Sequence, residues 1–124
     1  MESINVITNE KTEKEIKNSI YNTLVNIGIR PSRKGLKELV NLIFYAYTND
    51  YIDESLIYIL KMYSKEKNIN YERMIDRIEC ALKDIDLIRC EKRFKDIFEV
   101  DFDDSYLTPK AFITLFLIKI DFII

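Results

Sequence analysis

An all-α fold follows from three features of this sequence. Apolar residues recur at i, i+3, i+4 and i+7 in one segment after another. Cap residues stand just ahead of those segments. The 124 residues also hold only two Gly and two Pro, too few for a many-turned β architecture. The length and an apolar share of 48% suit one domain with a real core and exclude disorder as the class. About six helices are expected. Residues 1–11 have no sustained period and are expected to be a mobile lead-in. Residues 12–124 are expected to form a single helical domain.

Its centre is a predicted helix-turn-helix at about 55–85. Leu56, Ile57, Leu60 and Tyr63 form one apolar face. Asn68-Ile69-Asn70 is the turn, with Ile69 placed to plug the space between the helices. Met74, Ile75, Ile78, Ala81, Leu82 and Ile85 form the face of the second helix.

The other elements read in order. Thr12 with Glu15 is a capping-box pattern. Ile16, Ile20, Leu24 and Ile27 then mark a first helix from about Glu13 to Ile27, and Gly28 is its natural stop. Ser32 is placed to cap a second helix, whose broad stripe of Leu36, Leu39, Val40, Ile43, Phe44 and Tyr47 makes it the central one. Gly35 costs this helix propensity in its first turn, which points to a close approach by another helix. Thr48-Asn49-Asp50 ends it. Asp53 is placed to cap the third helix and Asn70 the fourth. Past Ile85 the pattern breaks at Asp86. A short helix is predicted within Cys90 to Phe98, then a brief extended piece at Val100 and Phe102. Thr108-Pro109 is a cap followed by an N1 proline, and it opens a buried last helix. The chain ends on Phe122-Ile123-Ile124, which either packs back on the domain or offers a surface to a partner.

Composition narrows the function classes. Net charge is −2 with both signs interspersed, so this is no strongly basic nucleic-acid coat. Histidine is absent, which removes His-dependent triads and His-ligated zinc. Cys80 and Cys90 form no CxxC and read as reduced, partly buried thiols. The N-terminus is polar, so no signal peptide is expected and the cytoplasm is the expected compartment. The apolar run Ala111–Ile118 falls far short of the roughly 20 residues of a membrane span. Asp101 to Ser105 lacks the glycine and glutamate that a calcium loop needs further along. No phosphate loop is present. No cofactor, no metal and no enzymatic activity are expected. The usage of Lys, Asn, Ile, Glu and Asp is that of an AT-rich genome.

Four patches, in order, resemble one family. They are Leu24-Val25-Asn26-Ile27-Gly28-Ile29; Lys34-Gly35-Leu36 with the helix that follows; Asn68-Ile69-Asn70-Tyr71-Glu72-Arg73-Met74; and Leu107-Thr108-Pro109-Lys110-Ala111-Phe112-Ile113. Together they are similar to the C-terminal DNA-binding effector domain of the stage zero sporulation response regulator of endospore-forming bacteria, over roughly residues 16–120. The resemblance implies a helical domain that binds DNA as a tandem dimer to control sporulation genes. That family carries a phosphoacceptor receiver domain ahead of the effector domain. The sequence here offers only the short lead-in, so no phosphorylation switch in cis is expected. Asp76 and Glu79 stand where the family has arginines, and Cys80 where it has histidine.

Two functional readings follow. In the first, the chain is a standalone transcriptional regulator that binds DNA through Arg73, Arg77, Tyr71, Lys67 and Lys34. In the second, it kept the fold and lost DNA binding. It then acts as a decoy or inhibitor that binds a protein such as the full-length regulator, through the acidic fourth helix or the apolar C-terminus. A homodimer fits either. From Lys61 to Glu79 five basic residues stand against four acidic ones, a thin electrostatic footprint. Asp76 lies one turn from Arg73 and beside Arg77, placed to pair with either. Arg30, Arg33, Lys34 and Lys37 cluster at the start of the second helix. They serve either as backbone contacts or as a solvated face.

Overall fold

A computed structural model describes residues 12–124, and the lead-in expected at 1–11 falls outside the described residues. The helices are α1 (Glu13–Asn26), α2 (Lys34–Thr48), α3 (Leu56–Lys67), α4 (Tyr71–Lys83), α5 (Leu87–Phe98), α6 (Pro109–Ile118) and the single turn α7 (Ile120–Ile123). A 3-10 turn (Asp104–Tyr106) precedes α6. The described residues contain no strand. The extended piece expected at Val100 and Phe102 is irregular chain that closes into that 3-10 turn, with Phe102 set against Phe94 rather than alternating on a ladder.

The caps explain most helix starts. Thr12 and Glu15 bond reciprocally as a capping box. The Asn70 side chain accepts from the Arg73 amide at 2.8 Å. Asp86 caps α5, which therefore starts at Leu87, three residues earlier than its apolar pattern announces. Thr108 caps α6 with Pro109 at its first position. Two expected caps shift. Ser55, not Asp53, caps α3, because the chain turns once more at Tyr51–Glu54 before the helix begins. Arg33 rather than Ser32 holds the cap position of α2, and it gives no side-chain cap bond.

α2 is the central helix. It buries Leu36, Leu39, Val40, Leu42, Ile43, Tyr45 and Ala46. It packs against α1 on one side and α4 on the other, with α3 and α6 completing its cover. The crossing with α4 is so close that a Cβ at Gly35 would lie 2.1 Å from the Arg77 carbonyl oxygen and 2.7 Å from the Ala81 Cβ. The helix-breaking residue in the first turn is therefore the condition for this packing.

α3 and α4 are joined by a tight turn. Asn68 adopts a left-handed conformation (φ 54°), which asparagine tolerates better than most residues. The Ile69 amide donates back to the Ser64 carbonyl at 2.9 Å. Ile69 is half-buried against the core, as a plug between the two helices. The same core includes Phe94, Phe98, Phe112 and Phe116, all fully buried. Their ring centroids lie about 5–6 Å apart, in the range of favourable edge and tilted contacts. Ile123 and Ile124 pack against this core, as the first of the two expectations has it, while Phe122 stays 79% exposed. No described helix is long and apolar enough to cross a membrane.

The Gly35 contact gives a direct test. Gly35→Ala is expected to destabilise the chain by about 1–3 kcal/mol through overpacking, read by chemical denaturation, although alanine is the better helix former.

Candidate nucleic-acid interface

α4 has two faces of different chemistry. Met74, Ile78, Ala81 and Leu82 are buried, while Glu72, Arg73, Asp76, Cys80 and Lys83 are exposed. The N-terminal turn of α2 crosses α4 at Gly35, against Ala81 and the Arg77 carbonyl, and so borders this exposed face. Between them runs a groove of about 390 Å³, lined by Ser32, Arg33, Lys34, Gly35, Arg73, Asp76, Arg77 and Cys80. Lys34, Arg73 and Arg77 are thus brought together from two helices. The first turn of α2 has no side-chain cap, so the positive end of its dipole adds to the same groove.

The other two residues expected at a DNA surface lie elsewhere. Tyr71 lines an apolar groove of about 330 Å³ between α3, α4 and the start of α6, with Leu56, Ile57, Leu60, Ile75 and Pro109. Its position at the head of α4 turns it toward α3, where its ring packs against the core. Lys67 lines a third cleft with Glu13, Lys17, Phe44, Tyr63 and Glu66, on another side of the molecule. Glu79 also parts from Asp76. It lines the apolar groove, so Asp76 is the acidic residue of α4 that lines the basic groove.

The basic side chains differ in how far they are already paired. Arg77 does not pair with Asp76. Its Nη1 donates to Glu38 Oε2 of α2 at 3.0 Å. Arg33 Nε donates to Asp84 Oδ2 at 2.9 Å, and Arg30 Nε donates to the Asp84 carbonyl at 2.9 Å with Oδ2 at 3.3 Å. The Arg33 hydrogen bond and charge hold the Asp84 carboxyl below the usual range, and Asp84 in turn raises Arg33. Arg73, Lys34 and Asp76 form no ion pair among the described residues. The sequence carries no local signal for these pairings. Glu38 and Arg77 are 39 residues apart, and Arg33 and Asp84 are 51 apart.

The thiols divide as well. Cys90 is fully buried and pushed up to about 11 by desolvation, an inert core thiol. Cys80 is exposed at the basic groove. Among the described residues no group of three acidic or cysteine side chains is arranged to hold a metal ion.

Comparison with family models, with curated proteins and with solved structures finds no match to this chain.

The Asp84 ion pairs predict an acid dependence. A carboxyl whose folded pKa is lowered adds stability above its unfolded value, and that stability is lost as pH falls through the folded value. The melting-temperature gap between the unsubstituted chain and Asp84→Asn is therefore expected to be open at neutral pH. It should close as pH drops below about 4, the ordinary aspartate value. A gap that persists at the acid end would mean the ion pairs contribute nothing of their own.

Proposed function

We propose that this chain is a helix-turn-helix DNA-binding protein that acts as a transcriptional regulator in the cytoplasm, with α4 as its recognition helix. The observation that carries this reading is the groove holding Lys34, Arg73 and Arg77 beside the uncapped start of α2. Phosphate neutralisation supplies most of the affinity of such proteins, and base contacts supply their specificity. Arg73 is exposed, free of ion pairs among the described residues, and three positions into the second helix, where side chains of this motif meet base edges. Lys34 is its counterpart for the backbone. Arg77 is partly committed to Glu38 and serves more to fix α2 against α4. Asp76 opposes phosphate from within the groove, so the binding is weak and its salt dependence shallower than that of a more basic groove. The resemblance to the sporulation regulator's effector domain points the same way. The sporulation context rests on that resemblance alone.

A second reading has its own observation. The groove between α3, α4 and α6 is largely apolar, and Ile57 at its edge is 57% exposed. A protein partner, the full-length regulator among them, fits such a surface if DNA binding is absent.

Binding of the purified chain to short AT-rich duplexes at low and moderate salt tests the first reading. Arg73→Ala is expected to weaken binding by about 1–3 kcal/mol if the contact is to a base. Asp76→Arg is expected to tighten binding and steepen its salt dependence. Glu79→Arg is expected to leave both nearly unchanged, because Glu79 lines the other groove. Absence of binding even at low salt would leave the partner reading standing.

A further inference from the structure

Arg30 and Arg33 sit on the link between α1 and α2, and both are tied to Asp84 just past the end of α4. Each donates through Nε. A carboxylate that grips an arginine end-on occupies two of its terminal N–H groups. Asp84 instead holds the inner nitrogen of both guanidiniums. Their Nη groups make no hydrogen bond among the described residues, and the side chains stay 53% and 48% exposed. Arg33 also lines the basic groove, while Arg30 lines a separate cleft with Gly28, Pro31, Asp86 and Arg89, so the shared Asp84 links the groove to basic charge at the far end of α4. Arg73 to Asp84 spans about 17 Å of helix axis at 1.5 Å per residue. That is about five base-pair steps of a duplex.

We infer that Arg30 and Arg33 form a second duplex-phosphate contact, with Asp84 as the positioning residue that aims both guanidiniums outward. This rests on the DNA-binding reading and extends it. The contact is to the phosphodiester backbone, so it is independent of sequence and adds register rather than specificity. Asp84 lowers the net charge of the cluster by one, and in exchange two flexible side chains are held in one orientation.

The test is the salt dependence of binding to a short AT-rich duplex, with melting temperatures as the control for folding. Arg30→Ala with Arg33→Ala is expected to lower the slope of log affinity against log salt by about 2, roughly one per lost phosphate contact, equally on unrelated duplexes. Asp84→Asn is expected to weaken binding although the chain gains a positive charge. Arg30→Lys with Arg33→Lys keeps both charges and is expected to hold the slope while losing affinity, and it serves if the double alanine variant melts early. An unchanged slope in the alanine variant overturns the inference. So does tighter binding by Asp84→Asn, which would make Asp84 a mask, or undiminished affinity in the lysine variant. If Arg73→Ala weakens binding while the slope ignores Arg30 and Arg33, the inference falls and the DNA reading stands. If the unsubstituted chain binds no duplex at low salt, the reading falls and takes the inference with it.

Discussion

The close crossing of α2 and α4 at Gly35 is the constraint on which the rest of this structure depends. A methyl group at that position would collide with the Arg77 carbonyl. Without the contact, the start of α2 could not lie so close against α4, and Lys34 would not share a groove with Arg73. The same crossing brings Glu38 of α2 within 3.0 Å of Arg77 and fixes the rotation of one helix against the other. At the far end, the link preceding α2 reaches Asp84 through Arg30 and Arg33. One glycine therefore connects core packing to the charge pattern of the surface.

That charge pattern explains how a chain of net charge −2 can present a basic face. Its six arginines divide between paired and unpaired side chains among the described residues. Three of them, Arg30, Arg33 and Arg77, are held by two carboxylates of the same domain. The more exposed pairs at Asp84 contribute little to stability, while Glu38, only 13% exposed, holds Arg77 between α2 and α4. The opposite side of α4 is turned to a different use. Tyr71, Ile75 and Glu79 line the apolar groove shared with α3 and α6, so the two long faces of α4 carry separate chemistry.

The helices were largely legible in the sequence because their caps and apolar stripes are local signals. The turn at Asn68–Asn70 and the start at Thr108-Pro109 lie where the residues place them. Local ambiguity defeated the rest: Asp53 and Ser55 are both capable caps, and only the extra turn at Tyr51–Glu54 decides between them. The groove was half legible. Lys34, Arg73 and Arg77 come together, but the rotation of α4 about its own axis sends Tyr71 and Glu79 to the other side. Helical periodicity assigns residues to a stripe but leaves open which neighbour covers each flank. The pairs at Glu38 and Asp84 join residues 39 and 51 positions apart, beyond any local pattern.

Backbone amide shifts of the labelled chain, followed by NMR as a short AT-rich duplex is added at low salt, test whether the groove between α2 and α4 is the surface that meets DNA. Perturbations are expected to concentrate at residues 33–35, 73 and 76–77 and to fade as salt rises, with the amides of Ile57 and Ile75 little changed. Perturbations centred on Ile57 and Ile75, or none at any duplex concentration, would contradict that assignment.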